Sequence, residues 1–87
     1  MDIAELRRRI DELDQQIVAL LNERCRCALA IGEHKRRQGL EAEDPEREAA
    51  VRANAAAANR SGGAVLSPAA LDRIFTCIVE EMRAAQK

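Results

Sequence analysis

Residues 3–37 read IAELRRRIDELDQQIVALLNERCRCALAIGEHKRR, and their spacing decides the fold. Apolar side chains fall at Ile3, Leu6, Ile10, Leu13, Ile17, Leu20 and Leu21, then at Cys27 or Ala28, and at Ile31. The steps alternate between three and four, the period of one helix face with a coiled-coil flavour. No proline precedes Pro45, and Gly32 is the only glycine before Gly39. The pattern predicts one helix from about residue 3 to about residue 37. Gln38-Gly39-Leu40 closes it, with glycine as the C-terminal cap.

Working outward, Asp44-Pro45-Glu46 is a helix start. Asp caps, proline takes the first helical position, and Glu favours the positive end of the dipole. A second helix is expected over about 45–59, with an apolar face made almost wholly of alanine. Asn59-Arg60-Ser61-Gly62-Gly63 reads as a loop. Ser67-Pro68 starts a third helix, expected over about 68–86. Its stripe is Leu71, Ile74, Phe75, Ile78, Val79 and Met82, followed by Gln86. The fold class is all-α, with three helices in one domain spanning residues 1–87.

The first helix is too long for a compact monomer. Thirty-five residues span about 50 Å at ~1.5 Å each. A compact chain of this size is roughly 30 Å across. The overhanging apolar stripe needs a cover, and a second copy is the simplest one. The alternative is a kink near Gly32 that folds the helix back on itself.

Composition agrees with a shared core. The chain has 87 residues, of which 17 are Ala and only 19 are Leu, Ile, Val or Phe. So small a chain with so few large apolar groups gains stability from a dimer. One Phe, with no Tyr or Trp, argues against base stacking in a single-strand nucleic-acid reader. A net charge of −1 argues against nucleic acid or a membrane surface as partner. No apolar run suffices to span a membrane, and the N-terminus lacks the pattern of a signal peptide. Cys25, Cys27 and Cys77 are an odd count, which reads as reduced cytoplasmic thiols acting as small hydrophobes, buried or half-buried. Cys25 and Cys27 would point about 200° apart on a helix, which disfavours a metal site. His34, alone in a charged stretch, reads as a surface residue.

Cations stand where the stripe calls for apolar residues. Arg24 and Lys35 are 11 positions apart. That spacing is three turns and about 20° of azimuth, so both point inward. Arg7 lies beside Leu6 at the edge of the same stripe. Charges there need anionic partners. Internal acids, among them Glu48, Glu80, Glu81 and Asp14, could serve, and so could an anionic ligand. The long side chains could also simply reach out to water. Periodicity alone leads no further than a helical dimer with an internal basic pocket.

The ordered set of residues then carries a resemblance. It runs Leu6-Arg7, Ile10, Leu13-Asp14, Leu20-Leu21-Asn22-Glu23-Arg24, Ile31-Gly32-Glu33-His34-Lys35, Asp44-Pro45-Glu46-Arg47-Glu48, Ile74-Phe75 and Gln86. This resembles the all-helical class of chorismate mutase, from about Ile3 to Gln86. The resemblance implies an intertwined homodimer with two equivalent sites. It implies a [3,3] rearrangement of chorismate to prephenate, feeding aromatic amino-acid biosynthesis, with no cofactor, metal or covalent intermediate. Arg7 and Arg24 match the arginines that bind the substrate carboxylates, Arg7 arriving from the partner subunit. Lys35 and Gln86 match the donors to the ether oxygen, and Glu48 matches the acid that accepts from the substrate hydroxyl. Asp44 and Arg47 match neighbouring binding positions. Met82 departs from the pattern, since bacterial relatives often carry a small polar residue there.

Rival readings remain on the same scaffold. An isochorismate-pyruvate lyase tends to be apolar at the position of Glu48, so Glu48 favours the mutase. An amino-deoxychorismate mutase is not excluded. A non-catalytic helical dimerisation or regulatory module would be favoured by loss of Arg24, Lys35 or Gln86, and all three are present. No fused dehydratase or dehydrogenase and no feedback domain is expected. Docking onto another shikimate-pathway enzyme is left open.

Overall fold

A computed structural model describes residues 1–87. It is all helical, with α1 over Ile3–Gln38, α2 over Pro45–Ser61 and α3 over Pro68–Ala85. Each start is capped by a side chain. Asp2 accepts from the Glu5 N–H at 2.8 Å, Asp44 from the Arg47 N–H at 3.1 Å, and Ser67 from the Ala70 N–H at 3.1 Å. These bonds satisfy donors that a helix start leaves without partners. Gly39 ends α1 in the left-handed region at φ 69°, and the Leu40 N–H returns to the Lys35 carbonyl at 2.8 Å.

α1 passes through Gly32 without a break, so the fold-back alternative is not realised. α2 runs to Ser61, beyond the expected end at Asn59. Nothing before Gly62 interrupts the backbone ladder there, and the Gly62 N–H still reaches the Ala58 carbonyl at 2.9 Å. Asn59 keeps a role in the turn from within the helix. Its side-chain amide donates to the Leu66 carbonyl at 3.0 Å and ties the α2–α3 connection together. Gln86, expected as the last residue of the third helix, is the C-terminal cap of α3 instead.

α3 is the central element. It packs on α1 and on α2, whereas the backbones of α1 and α2 do not approach one another. The covered side of α2 is Glu48, Val51, Ala55, Ala56 and Asn59, a helical spacing that faces α3. α3 answers with the half-buried Leu71, Phe75, Ile78, Val79 and Met82. On α1 only Ala28 and Gly32 are buried, one turn apart. Small residues there let α3 come close but bury little area.

The rest of α1 stands free. The molecule measures 54 × 23 × 17 Å, with a radius of gyration of 15.8 Å. A compact chain of 87 residues would have a radius near ~12 Å. Its surface is 6824 Å². A compact monomer of 9.6 kDa exposes about 5,100 Å². The excess lies along the stripe: Ile3, Leu6, Ile10, Leu13 and Ile17 are all exposed. Cys25 is half-buried as expected, whereas Cys27 and Cys77 are exposed, against the expectation. For Cys27 the reason is the same, since nothing within one chain lies over most of α1, and Cys77 lies on the uncovered side of α3. No helix is long and apolar enough to cross a membrane.

Candidate active site

The side chains singled out in the sequence meet at one place. A cleft of about 260 Å³ opens between α1, the start of α2 and the end of α3. Arg24 and Lys35 line it from α1, Asp44, Arg47 and Glu48 from the start of α2, and Gln86 from the end of α3. Ile31, Val51, Val79 and Met82 give it apolar walls. Arg7 is not part of it. It lies near the opposite end of α1 from Lys35, in the second turn of the helix, and the 17 residues from Arg7 to Arg24 span roughly 25 Å. No side chain could bridge that distance within one chain. His34 is on the surface, as its surroundings in the sequence suggest.

Local structure explains each placement. The Asp44-Pro45 start fixes the first turn of α2, and from that turn Arg47 and Glu48 enter the cleft. Lys35 Nζ donates to the Ala42 carbonyl at 3.1 Å, which ties the last turn of α1 to the α1–α2 connection. An ammonium has three donors, so two remain. Gln86 is held twice by α1. Its Nε2 donates to the Ala28 carbonyl at 2.8 Å, and its own carbonyl accepts from Arg36 Nη1 at 2.8 Å. One amide hydrogen of Gln86 is left for a ligand.

Arg36 is itself braced. Its Nη2 donates to Glu33 Oε2 at 2.7 Å, and Arg37 Nε donates to Glu33 Oε1 at 3.2 Å. The hydrogen bond from Arg36, followed by the charge of that guanidinium, holds the exposed Glu33 carboxyl below the usual carboxylate range.

The electrostatics separate the two kinds of partner left open by the sequence. None of the ion pairs in the chain involves Arg24, Lys35 or Arg47. Asp14, Glu80 and Glu81 form no ion pair either. Glu48 does pair, but with Arg83 of α3, at 3.2 Å from both carboxylate oxygens. α2 packs on α3 and not on α1, so its first-turn acid meets an α3 cation. Arg24, Lys35 and Arg47 thus border the cleft with no carboxylate of their own.

Arg83 is the cleft residue that the sequence reading missed. The available signal was its position three before Gln86, on neighbouring azimuth. Its charge in the last turn of a helix reads equally well as a favourable dipole contact. Met82 does line the cleft, where it presents a thioether and no hydrogen-bond donor.

Three unpaired cations around a small cleft on an all-helical frame make a place suited to a small anion. The chain belongs to the type II chorismate mutase family, whose model matches residues 6–87. It is 47% identical over 47 residues to a bifunctional chorismate mutase/prephenate dehydratase of Aquifex aeolicus, a stretch covering 54% of this chain and 13% of that protein. It is 44% identical over 46 residues to a chorismate mutase of Methanocaldococcus jannaschii, covering 53% of this chain and 46% of that protein. The chain thus spans less than half the length of either relative. No solved structure matches it significantly.

Proposed function

We propose that the chain is a chorismate mutase, converting chorismate to prephenate in a pocket completed by a second copy. The observation that carries this reading is the convergence of unpaired Arg24, Lys35 and Arg47 with Gln86 on one small cleft. Chorismate is a dicarboxylate, and guanidinium forks suit carboxylates. In this reading Arg24, with Arg7 of a partner subunit, grips the two carboxylates and holds the substrate in its compact reactive conformer.

The rearrangement is a single intramolecular step. The ether C–O bond breaks as a C–C bond forms, with no proton, electron or group exchanged with the protein. In the transition state negative charge grows on the ether oxygen. Lys35 and the free amide hydrogen of Gln86 donate to that oxygen, and donors aimed at developing charge lower the barrier. Glu48 accepts from the substrate hydroxyl, while Asp44 and Arg47 complete the binding side. No metal or cofactor enters this scheme.

The partner copy belongs to the same proposal. The bare stripe of α1 supports it, as does a surface well above that of a compact monomer. So does the distance of Arg7 from the cleft of its own chain. Residues 1–87 would then form one domain of this kind, acting in the cytoplasm. The Aquifex aeolicus relative joins a prephenate dehydratase to its mutase by name, which supports an enzyme consuming prephenate as a neighbour in metabolism.

The test is loss of chorismate absorbance on adding the protein, with isochorismate run in parallel. Conversion of chorismate to prephenate is expected. Release of pyruvate from isochorismate alone would favour the lyase reading, and silence on both would favour a non-catalytic module.

A further inference from the structure

Arg83 stands inside the cleft, crosses from α3 to α2, and has no part in the scheme above. Its Nη1 lies 3.2 Å from each oxygen of Glu48 and 3.9 Å from Glu43 Oε1. The two side chains are more covered than those of any other ion pair in the molecule, at 29% exposure for Arg83 and 26% for Glu48. The other helix-to-helix pair, Arg52 with Asp72, is longer at 4.0 Å and more exposed. Partial burial makes such a pair stiffer and less screened than a surface pair.

This contact leaves Glu48 usable. A carboxylate has about four acceptor positions, and one guanidinium nitrogen occupies one on each oxygen. The remaining lone pairs can still accept a hydroxyl proton. Charge balance points the same way. The cleft holds the cations Arg24, Lys35, Arg47 and Arg83 against the carboxylates Asp44 and Glu48. Their formal excess matches a dianion. Without Arg83, Glu48 would lose its ion-pair partner, and the formal excess of the cleft would fall to one beside a substrate that carries two negative charges.

We propose that Arg83 is a positioning residue for Glu48. It fixes the direction in which the carboxylate presents its free lone pairs, and it offsets the repulsion between that carboxylate and a dicarboxylate ligand. The proposal rests on reading the cleft as a chorismate site. It assigns Arg83 no contact with the substrate, so its effect must pass through Glu48.

A double-mutant cycle on chorismate turnover tests it, using wild type, Arg83→Gln, Glu48→Gln and the double variant. Circular dichroism and thermal melts check that each is folded. In the wild-type background Arg83→Gln should lower kcat/KM on the order of tenfold, and in the Glu48→Gln background the same change should stay within about twofold. Arg83→Lys returns the charge without the planar fork, so it should recover part of the loss in KM, and it serves as the probe if Arg83→Gln does not fold. Equal losses in both backgrounds would overturn the proposal and assign Arg83 an independent role. A folded wild type that leaves chorismate unconverted would overturn the reading of the site itself, an outcome the cycle cannot be confused with.

Discussion

Gln86 lies directly over Gly32. A methyl group built on Gly32 would stand 3.0 Å from Gln86 Cγ and 3.2 Å from its Cβ. Those distances are below ordinary contact, so the absence of a side chain at residue 32 sets the seat of the amide. From that seat Gln86 reaches the Ala28 carbonyl, one turn back on α1.

Gly32→Ala should therefore separate stability from turnover. Alanine favours the helix by roughly 1 kcal/mol over glycine, and crowding costs about 1–3 kcal/mol, so the net loss should be small. Gln86 is at the end of α3 and can give way, losing its aim. With a net loss of about 0–2 kcal/mol, thermal melts should fall by no more than roughly 15 °C and leave the protein folded at assay temperature, whereas kcat should fall on the order of tenfold. Unchanged kcat would mean that the seat of Gln86 is unimportant for the reaction.

Arg24→Ala and Lys35→Ala should each lower kcat/KM on the order of a hundredfold or more, the scale seen on removing one donor to developing charge. Neither side chain has an ion-pair partner within the chain. Lys35→Ala also gives up the hydrogen bond to the Ala42 carbonyl, a loss of about 1 kcal/mol that should leave the chain folded. Near-wild-type turnover in a folded variant of either would defeat its assignment to the site.

Replacing Gln86 with Glu should give activity a pH dependence that the amide lacks. Only the protonated acid can donate to the ether oxygen, so activity should rise as pH falls. The Ala28 carbonyl sits 2.8 Å from the present amide nitrogen. A carboxylate there would face that carbonyl, which disfavours its ionised form and should carry the active limb above the ordinary glutamate range. A flat profile from pH 4 to 8 would argue against Gln86 facing the reacting oxygen.

Arg7 gives a test of the shared pocket. Arg7→Ala and Arg24→Ala should each be inactive alone. Mixed and allowed to exchange, they form some dimers with one intact site, and about a quarter of the wild-type sites should return. Sedimentation of the wild type at micromolar concentration should give a dimer. No recovery on mixing, or a stable folded monomer, would dispose of a site built across two chains.

Much of this architecture was legible because its signals are local. Asp44-Pro45 and Ser67-Pro68 mark helix starts through caps and proline within four residues. The 11-residue separation of Arg24 and Lys35 fixes their common azimuth, and the structure places both in the cleft. Arg83 escaped because its meaning is non-local. Its partner Glu48 is 35 positions away, and only the packing of α3 on α2 brings them together. The end of α2 escaped for a smaller reason, since Asn59 and Ser61 suit a loop as well as the last turn of a helix.

The bare N-terminal half of α1 carries a consequence for dosage. Under the proposed pairing, a newly made chain holds only part of a working pocket, and completing it is an encounter between two bodies. Far below the dissociation constant, the population of working pockets then grows with the square of chain concentration. Halving expression would there remove about three-quarters of the activity, while above that threshold the loss would be one half. Dilution would act as a brake on such a protein with no effector bound, and its melting temperature would rise with its own concentration.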